Sequence, residues 1–331
     1  MFFLVASAVA LAPAPVPSTV SFSPVSPAPF HCGACGFNSG EAFIHTLPGE
    51  SMSAGRFSTS LRADLQEFDA FSDAELLARA SSGVFTHSID RSIVARAGAA
   101  YAVSDTWSIG ADLPFVSNRD LREGVDDAGT PDVEANGDQS GLGDLALFAQ
   151  WKFHDDAESR VYASFYFGAE LPTGRTGERS SEGERLEPDH QPGSGSVDVF
   201  AGLACTKSLG TSTLGASVLY TLAGDGSQDS NLGDVLRANA GWGWSPAQSA
   251  DGPLWRWMLE LNAQWHERMR MDGDVDEDSG GVQVFFAPGV RVTSSSHTSW
   301  FASFGVPLYQ DLHGEQSETD FRASVGVGFS L

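Results

Sequence analysis

The stretch FRASVGVGFSL (Phe321–Leu331) decides the fold. Phe321, Ala323, Val325, Val327, Phe329 and Leu331 share one parity; Arg322, Ser324, Gly326, Gly328 and Ser330 share the other. Strict period-2 alternation makes a strand with one apolar face and one polar or bare face. The same pattern recurs back to Arg56 in about twelve segments of roughly 9–11 residues, the length a tilted strand needs to cross a bilayer. They are 57–67, 91–103, WSIGADLPF (107–115), DLALFAQWKF (144–153), RVYASFYFGAEL (160–171), 196–206, 213–223, 234–244, LWRWMLELNAQW (254–265), VQVFFAPGVRV (282–292), SWFASFGVPL (299–308) and 320–331.

The connections alternate in length. Residues 103–106, 154–159, 207–212, 245–253 and 294–298 are short or moderate, whereas 68–90, 117–143, 172–195, 224–233, 270–281 and 309–319 are longer. This is the rhythm of an outer-membrane barrel, with tight periplasmic turns and long outer loops. The helical stretch DAELLARA (73–80) falls inside a long connection. The predicted fold is all-β, a transmembrane antiparallel up-and-down barrel of about 12 strands. The last strand is expected to pair with the first and leave no open edge.

Two distributions separate this reading from a secreted sandwich. All eight tryptophans fall on the apolar parity, and Trp107, Trp151, Trp242, Trp244, Trp255, Trp257 and Trp300 sit beside the short turns, as a periplasmic aromatic girdle requires. Trp265 is the exception. The polar parity carries the charges: Arg62, Arg96, Lys152, Arg160, Arg237, Arg256, Arg268, Arg291 and Arg322 with Asp64, Asp112, Asp144, Glu170, Asp198 and Glu260. A lumen holds such groups as ion pairs or in water, and a lipid face does not. The same parity offers Phe148, Tyr162, Tyr166, Phe200, Phe285, Phe301 and Tyr309.

Asp and Glu number 43 against 19 Lys and Arg, a formal charge of −24. That balance excludes nucleic acid as a partner for the exposed surface. The expected partners are outer-membrane lipid and lipopolysaccharide, the barrel-assembly machinery and a small-molecule permeant. MFFLVASAVALA before PAPVPS reads as a signal peptide (1–17, cut site open), too short to span a membrane. Residues 18–55 form a Pro-, Gly- and Ser-rich leader, and 56–331 the barrel. Whether 31–55 plugs the lumen or hangs in the periplasm is open. In HCGAC, Cys32 and Cys35 are read as a periplasmic disulfide, with metal binding by His31, Cys32 and Cys35 the alternative; the second ligand pair of a structural zinc site and the histidine of haem attachment are missing. Cys205 lies on the lipid parity and reads as a small hydrophobe.

In serial order, GLGDLALFAQWKF (141–153), LPTG (171–174), QPGSGSVDVFAG (191–202), SGGVQVFFAPGV (279–290) and VPLYQDLHGEQ (306–316) resemble a family of Gram-negative outer-membrane barrel transporters. That family is akin to the barrels associated with the meta-pathway of phenol degradation, and HCGACGF (31–37) is similar to a Cys-rich segment that precedes the barrel in some members. The resemblance covers roughly residues 31–331 and implies a fold and a compartment more than a chemistry.

The glycine-rich motifs suit turns where outer loops re-enter the wall. The competing reading makes Asp144, Glu170 and Asp198 a selective constriction. Candidate lumen residues are Arg62, Arg96, Asp112, Asp144, Tyr162, Tyr166, Glu170, Asp198, Arg237, Arg256, Glu260, Arg291 and Arg322. Their mixture suits passive or facilitated passage of small aromatic or amphipathic solutes; the alternative is a non-conducting structural or binding barrel acting through acidic outer loops. DGDVDED spaces Asp272, Asp274, Asp276 and Asp278 two apart, weak candidates for loose divalent binding, without the Gly and distal Glu of an EF-hand. No cofactor is expected. Nor is an enzyme: His297 falls in a short turn, and His266 lies on the lumen parity without an evident Ser partner.

Overall fold

The computed structural model describes residues 43–331 apart from 85, 128, 182, 247–251 and 295–297. The signal peptide, Cys32, Cys35 and His297 therefore lie outside the described residues. Twelve antiparallel strands form the wall: β1 Phe57–Phe68, β2 Arg91–Ala102, β3 Trp107–Asp127, β4 Leu145–Asp156, β5 Val161–Leu171, β6 Asp198–Leu209, β7 Ser212–Leu222, β8 Val235–Trp244, β9 Leu254–His266, β10 Gly281–Thr293, β11 Thr298–Leu312 and β12 Thr319–Ser330. Each pairs with its sequence neighbour. Strand β12 also pairs with β1 in a register running from Ser58↔Ser330 to Phe68↔Thr319, so the sheet closes. Closure satisfies every backbone edge, which a bilayer interior requires.

The two faces separate as the alternation predicts. On the outer face Leu61, Leu203, Leu259 and Val325 are 58, 49, 41 and 55% exposed; on the inner face Asp64, Glu260 and Arg291 are 1, 1 and 2% exposed. Apolar side chains turned outward and charges turned inward are the inverse of a soluble core and fit a hydrocarbon surround. Cys205 is a free thiol on the outer face. The girdle tryptophans are outward too. Trp107 and Trp151 are register partners with stacked rings 5.9 Å apart, and Trp255 stacks on Trp257 at 6.4 Å.

Two expectations change. The connection over 117–143 is an extension of the wall, in which the outer part of β3 pairs with the strand Thr130–Leu142. The outer part of this hairpin carries polar side chains on both parities, so no alternation marks it. Tyr309 faces outward rather than into the lumen. Val284 pairs with Tyr309 while Phe285 pairs with Pro307, so Leu308 is an extra residue whose bulge reverses the parity beyond it.

Helix α1 (Asp73–Ala80) starts at Ser72, whose side chain accepts the Glu75 N–H while Glu75 Oε2 accepts the Ser72 N–H at 2.9 Å. Its Leu76 is fully buried at Gly124 of β3, where a Cβ would stand 2.7 Å from the Leu76 carbonyl oxygen. The outer loops thus fold back onto the barrel mouth, where Phe68, Ile89, Leu121 and Leu186 form a small apolar core.

Leu203→Arg, near the middle of β6, is expected to cost about 2–4 kcal/mol of stability in denaturant titrations of protein folded in lipid vesicles. Unchanged stability would place that face elsewhere than in hydrocarbon.

Candidate functional site

A twelve-stranded bore is wider than the eight-stranded barrels filled by their own side chains and narrower than an open porin. Residues 43–52 (FIHTLPGESM) run inside it, and Ser53 and Ala54 are exposed at its short-turn end. The leader residues that the structure describes therefore take the lumen, not the periplasm. Phe43 rests on Gly215 and Gly241, register partners on β7 and β8, and a Cβ at either glycine would overlap its ring. Next, three consecutive N–H groups converge on Glu260 of β9. Ile44 N donates to Oε2 at 3.0 Å, His45 N to Oε1 at 3.0 Å and Thr46 N to Oε1 at 2.8 Å, and the Thr46 hydroxyl adds another bond at 2.8 Å.

The carbonyls of this turn are held as well. Arg62 donates to the Ile44 oxygen at 2.9 Å and Arg291 to the Phe43 oxygen at 3.0 Å. Descending, Leu47 N donates to Ser217 Oγ, Tyr166 Oη to the Pro48 oxygen, Gly49 N to Thr206 Oγ1 and Gln150 Nε2 to the Glu50 oxygen. Ala54 N reaches Asp105 in the short turn at 2.8 Å. The segment has no secondary structure of its own, so wall side chains satisfy its buried backbone.

The tip of the plug floors a cavity of ≈ 50 Å³ lined by His45, Arg62, Asp64, Arg96, Arg237 and Arg322, among others. Arg62 Nε donates to Asp64 Oδ1 at 2.7 Å, and Arg96 pairs with Asp112 at 3.0 Å and stands 3.8 Å from Asp64. Arg322 lies over the Phe285 ring, 3.8 Å from its centroid. Arg237 differs: it is 6% exposed, and none of its three guanidinium nitrogens has a hydrogen-bond partner among the described residues.

Sequence motifs far apart in the chain meet at the outer rim. Asp144, from GLGD, accepts the Gly174 N–H of LPTG at 2.8 Å and the Ser194 N–H and hydroxyl of QPGSGS at 2.7 and 2.8 Å. A Cβ on Gly174 would stand 2.7 Å from Gly193 Cα and 2.8 Å from the Gly143 carbonyl carbon, so these backbones touch. Asp198 accepts from Ser196 Oγ at 2.6 Å and Gly224 N at 2.9 Å. Both carboxylates are therefore committed to fastening loops.

Glu170 lines a separate ≈ 30 Å³ cavity with Asp198, Arg237 and His266. Tyr166 serves the plug, Tyr162 offers its backbone beside Gly49, and Arg256 reaches Thr213 at 3.5 Å. Among Asp272, Asp274, Asp276 and Asp278, Asp276 is buried and Asp278 accepts the Glu315 N–H; among the described residues the four do not gather as a ligand set. The alternation could not reveal His45 or the plug, because residues 43–54 carry no periodicity. The facing pair Gly215 and Gly241 is the signal that marks the hollow.

No family model matches the sequence, and no curated protein does. Among solved structures, an outer membrane channel from Pseudomonas putida F1 aligns over 85% of this chain and 97% of its own, with 16% identity and a TM-score of 0.58. The fold is that of a bacterial outer-membrane β-barrel. Its apolar wall and charged lumen place the protein in that membrane. The monoaromatic hydrocarbon channel TodX (a deletion mutant; 11% identity, 85% of this chain and 91% of that one) and the β domain of the Bordetella autotransporter BrkA (12%, 84% and 100%) give TM-scores of 0.46 and 0.43, too low to argue from.

Glu260→Gln removes the charge that the three N–H groups share and sets an NH2 against donors. The expected loss is about 1.5–3 kcal/mol of local stability, read as at least ~10-fold faster hydrogen exchange at Ile44–Thr46. Unaltered exchange there would show that other contacts hold the plug.

Proposed function

We propose that this barrel is a channel for small solutes, with aromatic or amphipathic carboxylates as the favoured class, and that residues 43–54 gate it. The observation that carries this reading is the arginine-lined cavity above the plug tip. Four arginines (Arg62, Arg96, Arg237 and Arg322) and His45 surround it, against the single acid Asp64. Among the described residues the buried Arg237 guanidinium has no acceptor, which is unfavourable, and an anionic guest would supply one. Phe285, under Arg322, offers an aromatic face beside the charge.

At ≈ 50 Å³ the cavity holds about one or two waters. His45 forms part of its lining, so withdrawal of the plug both enlarges the space and opens the periplasmic side. A carboxylate arriving from outside would compete with Glu260 and Asp64 for the donors around the plug. The outer wall is read as embedded in lipid and lipopolysaccharide after insertion by barrel-assembly machinery.

Planar-bilayer recording of purified, folded protein tests this. Deletion of 31–55 and Glu260→Gln are each expected to raise conductance above wild type. Reversal potentials in a salt gradient are expected to show anion preference, reduced in an Arg237→Ala/Arg322→Ala variant. Silence in all forms, with folding confirmed by heat-dependent gel mobility, would overturn the channel and leave a binding barrel that acts through its acidic loops.

A further inference from the structure

The outer mouth gathers six titratable side chains that the channel reading does not use. His87 lies on the short strand Thr86–Ser88, paired in register with Glu123 on the outer part of β3. Glu187, Asp189 and His190 come from the loop between β5 and β6, and Asp276 from the loop between β9 and β10. The two imidazoles are buried with ring centroids 4.7 Å apart. One ligand atom each of His87, Glu187 and His190 lies within 4.8 Å of the others.

Each imidazole has a carboxylate behind it. His87 Nε2 is 3.2 Å from Glu123 Oε1, while its Nδ1 faces Glu187 Oε2 at 3.9 Å. His190 Nδ1 faces Asp189 Oδ1 at 3.4 Å. A carboxylate behind a ring nitrogen is how ligating histidines are oriented and made more basic.

The charge balance leaves room for a cation. Among the described residues, no Lys or Arg pairs with Glu123, Glu187, Asp189 or Asp276. The nearby guanidinium groups are committed elsewhere, Arg122 to Asp73, Asp90 and Asp120, and Arg268 to Glu277. Asp189 has no exposed side-chain surface, and among the described residues neither of its carboxylate oxygens, nor one oxygen of Asp276, has a hydrogen-bond partner.

We propose that His87, His190 and Glu187 bind one divalent transition-metal ion of the zinc class, with Glu123 and Asp189 behind the imidazoles. Two imidazoles and a carboxylate suit zinc-like ions, whereas calcium and magnesium prefer all-oxygen shells. Ligands about 2.0–2.2 Å from a tetrahedral ion stand roughly 3.3–3.6 Å apart, so binding draws these side chains inward by about 1 Å. The ion fastens the strand at 86–88 to the β5–β6 loop. Just below lies the ≈ 30 Å³ cavity lined by Asp189, Glu170, Arg237 and His266, so the ion locks the outer lid of the lumen as Glu260 holds the inner plug.

The test is calorimetric titration of the full, folded, chelator-stripped protein with Zn2+, with Co2+ absorption as a second readout. Expected are one Zn2+ per chain and visible Co2+ bands of a four-coordinate site. His87→Ala or His190→Ala should weaken Zn2+ by at least ~100-fold, and Glu123→Gln by about 10–100-fold. Three results would overturn the proposal: no stoichiometric Zn2+ uptake by folded wild type, equal affinity in the double histidine variant, or Ca2+ uptake alone, indifferent to the histidines. The readout is binding rather than conductance, so failure here leaves the channel reading standing.

Discussion

A single carboxylate organises the interior. Glu260 sits midway along β9, buried in a lumen where an unpaired charge would be costly, and the donors that satisfy it come from a segment outside the wall. The dependence is mutual. Residues 44–46 have no ladder to join, and their N–H groups need an acceptor as much as the carboxylate needs donors. Arg62 and Arg291 complete the clasp through the carbonyls of Phe43 and Ile44, which ties the plug to β1 and β10 as well. Such a fastening is strong while dry and yields to a competing anion or to water, which suits a gate better than a permanent stopper.

The rim works differently. Asp144 and Asp198 also accept several donors, but those donors lie in loops whose backbones are packed glycine against glycine. There is no room for a solute between Gly143, Gly174 and Gly193, so these acids are fasteners of the wall. The arginines follow the opposite logic. They converge on one cavity whose lining includes a single acid, and among the described residues no hydrogen-bond partner reaches the Arg237 guanidinium. Acidic outer loops above and a basic chamber below give the lumen a polarity along its axis. A small anion would be repelled at the surface and held in the interior, so affinity for the chamber must outweigh the approach.

The two ends of the lumen are built by different means. Below, an irregular segment is held by hydrogen bonds from wall side chains. Above, loops fold over a small apolar core around Leu121 and Leu186 and carry the histidine–carboxylate cluster. On the proposed channel reading, passage needs both ends to open.

Residues 57–331 are largely legible in the sequence, because a lipid outside and a lumen inside impose period-2 alternation on every strand, and alternation is local. The twelve wall strands, the outward tryptophans, Cys205 and the inward charges all follow from parity. Where parity fails, so does the reading: at Tyr309, where one bulged residue at Leu308 reverses the faces, and in the 117–143 hairpin, where polar side chains occupy both faces. Sequence alone therefore determined the barrel, its membrane and which side chains face inward. Only the tertiary structure decided that residues 43–54 fill the bore, that Glu260 holds them, and that His87 meets His190. Those contacts join positions up to 258 residues apart through side chains, and no local periodicity records them.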